Sequence, residues 1–473
     1  DTLSRMLFTI DDITRATGGT ASGAGAAGVS GVSSDSRTIE AGELFVALRG
    51  PNFDGHAYVD AAAARGARVF LVRRDWLASG APDVGVCIAV DDTLTALGDL
   101  AAFHRSRFDL PVVGVTGSNG KTTTKEMLAT ILARTGPGLR TSGNLNNLIG
   151  LPRMLFQLAA DHRWAVLEMG MSEAGEIDRL AAIARPSVGI ITNALPAHLE
   201  SMLTVENVAR AKGELFLRLP EGGVAVYNAD DPLVAALPVA AGVRRVGYGF
   251  DAAEVRATAC TPVGKKGQRF LLHLDDTALA VELAAFGRHN ISNALAAAAA
   301  AHALGVDAAT IRAGLESFRP VGKRFNLEEV SGVTLIDDSY NANPASMAAA
   351  LITLGEVKEE CRAVAVLGDM LELGERSAEA HRNVGRLAAS SVDRLYVMGS
   401  MATEVATGAV EAGLESDRIL VMASHAEILT DLRGWVTEGD CILVKGSRGM
   451  GMEAVAEGVR HGFVFAAGKG PVT

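Results

Sequence analysis

The sequence predicts an α/β protein built as three domains, on three observations. Short apolar, β-branched runs alternate with helical segments along nearly all of the 473 residues, the pattern of largely parallel sheets covered by helices. A chain of that length exceeds what one hydrophobic core holds. The runs also fall into three groups: a small α/β module over residues 1–108, a doubly wound domain of P-loop type over 109–318, and a Rossmann-like domain over 319–473.

Composition narrows the function before any motif does. A net charge of −11 argues against a general nucleic-acid or anionic-membrane binder, so an anionic substrate must be held by locally placed Lys, Arg and backbone N–H groups. Aromatics make up 5% of the chain, which leaves Ala, Val, Leu and Ile to fill the cores. Cys87, Cys260, Cys361 and Cys441 lie far apart with no Cys-x-x-Cys spacing, as expected of small buried residues in a reducing compartment. No apolar run reaches membrane-spanning length, and the first residues lack the basic-then-apolar plan of a signal peptide. A cytoplasmic protein without membrane insertion is expected.

In the first module, Phe8 to Thr17 has helical spacing and stops at Gly18-Gly19. Ser34-Asp35-Ser36-Arg37 is a polar loop, the run around Leu44-Phe45-Val46 a strand, and Asn52 to His56 turn chemistry before an Ala-rich helix over 58–66. Val69–Val72 and Val86–Val90 are further strands. On their own, Ser36, Arg37 and His56 read as ordinary loop residues.

The second module opens on Val112-Val113-Gly114-Val115-Thr116-Gly117-Ser118-Asn119-Gly120-Lys121-Thr122-Thr123. An apolar strand runs into glycines and then a helix start, where unpaired N–H groups and the helix dipole seat phosphate. Lys121 supplies a cation for terminal phosphates and Thr122 a hydroxyl for Mg²⁺. Val115 stands where the general P-loop pattern has glycine, so half of that signature is met. The Gly- and Asn-rich stretch holding Asn144, Asn146 and Asn147 reads as a structured loop. Glu168 and His198 each follow an apolar strand on the side of the glycine loop, and both residue types serve Mg²⁺ or phosphate sites. Lys212 lies in a helical pattern over 204–219, where composition favours a solvated lysine. Residues 240–285 alternate like strands. Asn290 and Asn293 open an Ala-rich helix, either capping it or reading an adenine edge.

The third module shows the strand-then-loop plan four times, Leu395-Tyr396-Val397-Met398-Gly399 among them. Val333–Asp337 leads into Asp338-Ser339-Tyr340-Asn341-Ala342-Asn343, Ala363–Leu367 into Gly368-Asp369, and Cys441–Val444 into Lys445-Gly446-Ser447-Arg448. An acid, two cations and several amides therefore gather at strand ends, suited to face a nucleotide from the opposite wall.

These residues resemble the Mur ligase family of bacterial cell-wall synthesis over nearly the whole chain. The marks are Thr116–Thr123, Glu168, His198, Lys212, His289-Asn290-x-x-Asn293 and Arg324, joined by Gly143–Asn147, Asp338–Met347, Leu367–Gly374 and Lys445–Arg448. The Asp-Asn-Pro-Arg sequence of the preceding ligase in that series is absent, and Leu195-Pro196-Ala197-His198 replaces the usual Gly-Pro-Ala-His. The resemblance implies that Gly117, Ser118, Asn119, Gly120, Lys121, Thr122 and Thr123 hold ATP phosphates. Asn290 and Asn293 would meet adenine, Asp338 the ribose, and Arg324 the phosphates. Two Mg²⁺ ions would be served by Thr122, Glu168, His198 and Lys212, the last as a carbamate. It further implies amide formation between UDP-N-acetylmuramoyl-tripeptide and D-alanyl-D-alanine through an acyl phosphate. Ser36, Arg37, Phe45 and His56 would lie in the region that holds the uridine diphosphate sugar. Asn144, Asn146, Asn147, Tyr340, Asn341, Asn343, Lys445 and Arg448 would serve the substrates, and the protein is expected to act as a monomer. Three other functions fit the phosphate loop: another Mur-type ligase; a folylpolyglutamate-type ligase, which needs no uridine-binding module; and an ATPase switch, which releases phosphate from ATP alone.

Overall fold

In the computed structural model, which describes residues 6–80, 83–196, 202–251 and 253–462, the first helix is Ile10–Thr17. Thr9 and Asp12 form its capping box, and Gly18 ends it at φ 65°, in the left-handed region that glycine tolerates. The accompanying sheet runs Thr20–Ser22, Val86–Val90, Val69–Arg73, Glu43–Val46, Gly31–Ser33, parallel except for the first pair. The expected turn at Asn52–His56 is more ordered than its composition implied: Phe53–Asp54 pairs with Arg49–Gly50, and a 3-10 turn covers Gly55–Tyr58.

The central sheet has nine strands. Seven are parallel, in the order 139–140, 165–168, 112–116, 188–191, 224–228, 244–249, 255–262, and each of the four innermost begins as an unbroken buried run. The doubly wound reading stops there, because 268–274 and 277–283 continue the sheet antiparallel. Their residues alternate between buried and exposed, so one face of this extension meets solvent. Helix Arg288–Ala303 lies across the sheet with Ala294 and Ala296–Ala301 fully buried, small side chains that allow helix Lys121–Leu132 to approach closely. The third sheet runs 326–330, 333–338, 441–445, 363–368, 394–398, 419–422, parallel except for its first strand.

The three units pack against one another. Helix Thr93–Arg105 joins the first to the second: buried Arg105 donates to the carbonyls of Ala184 (3.0 Å), Phe108 (2.6 Å) and Leu110 (3.2 Å). Beside it, His104 is enclosed by Phe8, Phe108 and Phe156 at centroid distances of 5.5, 5.0 and 6.1 Å. Burial pushes the imidazole pKa down to about 4, with the nearby Arg107 adding to the shift and the Leu158 backbone opposing it. The folded form therefore keeps His104 neutral while the unfolded chain protonates near pH 6.5. Its stabilising contribution is complete above pH 6.5 and is lost as pH falls toward 4, by about 3 kcal/mol at most. Thermal unfolding at pH 7 and pH 5 should show this: the drop in Tm on acidification is expected to be smaller in His104→Leu than in the parent protein.

The second and third units meet at Phe286, which packs within the third core against Phe325 at 6.0 Å. A hairpin tip from the central sheet adds Lys265, whose Nζ donates to Glu329 (2.9 Å) and Thr334 (2.6 Å). All four cysteines are free, two buried and two half-buried. Among the described residues no helix is long and apolar enough to cross a membrane.

Candidate active site

Strand Val112–Thr116 delivers the glycine loop to the carboxyl edge of the central sheet, between strands 165–168 and 188–191. Two positions there require glycine. A Cβ on Gly117 (φ 150°) would lie 1.8 Å from the Thr192 hydroxyl, and one on Gly120 (φ 82°) would lie 2.2 Å from Asn293 Oδ1. Val115 is fully buried in the strand, so the departure from the general pattern falls in the core and not in the loop. Gly120 caps helix Lys121–Leu132 without a side-chain hydrogen bond, which leaves the first-turn N–H groups facing the loop. The Ser118 N–H donates to the Asn193 carbonyl (3.0 Å) and the Asn119 N–H to Asn193 Oδ1 (2.8 Å), tying the loop to the neighbouring strand end.

Lys121 Nζ lies over the loop, donating to the carbonyls of Gly117 (2.6 Å) and Ser118 (3.3 Å). Burial lowers its pKa, Glu168 opposes the shift and Arg324 adds to it. Glu168 is buried at the end of strand Ala165–Glu168. Its Oε2 accepts from the Thr122 hydroxyl (2.7 Å) and its Oε1 from Asn146 Nδ2 (2.9 Å). Among the described residues no three His, Cys, Asp or Glu side chains cluster as a metal site. One carboxylate, one hydroxyl and one amide beside a phosphate loop nevertheless suit Mg²⁺, which keeps several waters and takes substrate phosphates as ligands.

Lys212, in helix Val205–Leu217, is 2% exposed, which overturns the solvated lysine that composition favours. Burial first, and the charge of Lys121 second, hold its pKa well below that of an ordinary lysine. His198 lies outside the described residues.

Asn290 and Asn293 do not cap their helix, whose cap is Gly287. Both are buried. Asn290 Nδ2 donates to the Phe286 carbonyl (2.8 Å), and Asn293 Nδ2 to Asn290 Oδ1 (3.1 Å). Asn290 also lines a cleft with Thr122, Thr123, Glu126, Ala285, Phe318, Pro320, Val321 and Arg324. From the third sheet, Asp338 accepts from Lys445 Nζ (2.6 Å) and from the Phe325 N–H (3.0 Å), and Lys445 reaches on to the Asn341 carbonyl (3.0 Å). Burial raises the Asp338 pKa against the opposing pull of Lys445. Lys445 is 2% exposed and is occupied in holding this loop. Arg324 lies over the Tyr340 ring at 4.0 Å and Arg448 at 5.7 Å, so one aromatic ring seats two cations.

Other expected residues stand apart from this cluster or have structural partners. Phe45 is buried against Phe70 at 6.4 Å. His56 is buried with both ring nitrogens occupied, Nδ1 by Asp54 (2.5 Å) and Nε2 by the Arg73 N–H (2.9 Å). Arg37 is exposed and forks onto Asp35 at 2.9 and 2.7 Å, next to the half-buried Ser36. Asn144 is exposed, and Asn147 Oδ1 accepts from the Gly150 N–H (2.8 Å). Thr192 and Asn193, which brace the phosphate loop, received no role from the sequence, although Asn193 follows a buried strand as Glu168 ends one.

Family models match the chain in three consecutive pieces: a "Mur ligase family, catalytic domain" over residues 28–105, the "Mur ligase middle domain" over 115–301 and a "Mur ligase, glutamate ligase domain" over 323–448. The chain belongs to the Mur ligase family. A UDP-N-acetylmuramoyl-tripeptide–D-alanyl-D-alanine ligase of Escherichia coli strain K12 is 38% identical over 434 residues, spanning 90% of this chain and 93% of that protein. A crystal structure of MurF from Acinetobacter baumannii superposes with a TM-score of 0.89 at 34% identity, covering 96% of this chain and 98% of the other. MurF ligase from Thermotoga maritima in complex with ADP gives 0.80 at 30% identity, covering 90% and 96%. The match over 28–105 takes in the module that a folylpolyglutamate-type enzyme would not need.

Proposed function

We infer that this Mur ligase joins D-alanyl-D-alanine to UDP-N-acetylmuramoyl-tripeptide at the expense of ATP, yielding the UDP-muramoyl-pentapeptide precursor of peptidoglycan in the cytoplasm. The observation that carries the reading is the meeting of Lys121, the Thr122–Glu168 pair and buried Lys212 at one sheet edge, with Arg324 facing them from the third unit. The tripeptide carboxylate attacks the γ-phosphorus, ADP leaves, and an acyl phosphate forms. The neutral amine of the dipeptide attacks the acyl carbon, sheds its proton, and phosphate departs. Lys121 and Arg324 supply positive charge where two anions must approach, and the loop N–H groups fix the phosphates in line. Thr122, Glu168 and Asn146 would hold Mg²⁺, which when bound neutralises further phosphate charge. A second ion would call on His198 and a carbamylated Lys212. Asn290 and the cleft beside it would take the adenine. Closure of the third unit keeps water from the acyl phosphate.

Phosphate release, measured with each acceptor omitted in turn, tests this. Release is expected only when both acceptors accompany ATP; release from ATP alone would favour the ATPase switch.

A further inference from the structure

Asn343 stands where strand Val333–Asp338 has given way to helix Pro344–Val357. As the helix cap, its Oδ1 accepts from the Ser346 N–H (2.9 Å), and the Ser346 hydroxyl accepts from the Asn343 N–H (3.0 Å). Only an oxygen can accept from that N–H, so the box decides which way the amide faces. Its Nδ2 then points at the phosphate loop and donates to Asn119 Oδ1 (2.6 Å), while Asn119 Nδ2 donates back to Asn343 Oδ1 (3.1 Å). Asn119 is fixed from behind by Asn193 on its N–H (2.8 Å) and by the Thr192 hydroxyl on its carbonyl (2.5 Å). The loop before Asn343 is strapped in turn by Lys445 to the Asn341 carbonyl and by the Ser447 hydroxyl to that of Ala342 (3.2 Å). Two rigid mounts meet through one reciprocal amide pair, one on the nucleotide loop and one on the closing unit.

We propose that the Asn119–Asn343 pair is the catch that holds the third unit in register with the phosphate loop, which makes Asn343 a positioning residue and not a contact of the incoming dipeptide. The inference rests on the ligase reading above. Both lone pairs of Asn343 Oδ1 and one of its N–H groups are committed to Ser346 and Asn119. A relative shift of about 1 Å breaks the two inter-unit bonds together. Each substrate would still find its own unit, but the reacting atoms would lose alignment, a loss felt in turnover more than in binding.

The test pairs Asn343→Ser, which keeps a capping hydroxyl but is too short to reach Asn119, with Asn119→Ala, which touches no cap. Each is expected to lower kcat about tenfold with KM for D-alanyl-D-alanine within about twofold. The double variant should be no slower than the slower single. Fluorophores on the second and third units should report a longer mean separation in both variants with ADP bound. A KM raised about tenfold in Asn343→Ser alone, multiplicative losses in the double variant, or unchanged kcat in both singles would overturn the proposal. If Asn343→Ser does not fold, Asn119→Ala decides the matter through kcat and the distance. The distance measurement needs no turnover, so its result stands apart from a failure of the ligase reading, which would show as phosphate release without both acceptors.

Discussion

Lys212→Ala is expected to lower kcat by about a thousandfold or more while leaving the protein folded. The side chain is 2% exposed on helix Val205–Leu217, and burial together with the charge of Lys121 favours its neutral amine. A neutral amine is the form that attacks carbon dioxide, forming an N–C bond and releasing one proton as the carbamate appears. That step puts an anion where a neutral amine stood, beside the positive charge of Lys121 that favours it. Truncation removes the group outright, and because holding a lysine unprotonated in the interior costs stability at neutral pH, Tm should hold or rise. With ¹³C-bicarbonate, the parent protein is expected to show a carbamate carbon signal that Lys212→Ala lacks. Activity that persists in the variant, with or without bicarbonate, would end the carbamate assignment.

How far the sequence spoke for itself varies by element. Parallel strands such as Val112–Thr116 and Cys441–Lys445 were legible because strands buried on both faces read as unbroken apolar runs. The phosphate loop was legible because glycine at Gly117 and Gly120 answers a backbone need that no other residue meets. The antiparallel strands at 268–274 and 277–283 were readable as strands but not in direction, since alternation reports one solvated face and says nothing of partners. Burial of Lys212 was invisible to composition, because a lysine in a helix shows its surroundings only once other elements close over it. The partners of Asn343 and Lys445 were hidden for a related reason. Their hydrogen bonds span 224 and 107 residues of chain, and polar side chains at strand ends look alike whether they face a ligand or another domain. His56 shows the same ambiguity from the other side: it read as an ordinary loop residue, and it is enclosed with both nitrogens satisfied.

Glu168→Gln separates a metal-site carboxylate from a strand-end structural one. The substitution keeps the shape and one carbonyl oxygen but removes the charge. It also turns an N–H₂ toward either the Thr122 hydroxyl or Asn146 Nδ2, both of which donate to Glu168. A purely structural carboxylate would then lose about 1–3 kcal/mol of stability and little else. A carboxylate that holds Mg²⁺ would show the reverse balance: kcat down by about a thousandfold at limiting Mg²⁺, partial recovery as Mg²⁺ is raised, and a half-saturating Mg²⁺ concentration at least about tenfold higher. Thr122→Val supplies the comparison, since it breaks the same hydrogen bond from the other end while leaving the charge in place. Its loss should be smaller, about tenfold, with the same sign in the Mg²⁺ titration. If Glu168→Gln lowers Tm but leaves the Mg²⁺ dependence of phosphate release unchanged, the Thr122–Glu168 contact is a structural bond, and the ion must be held elsewhere along the loop.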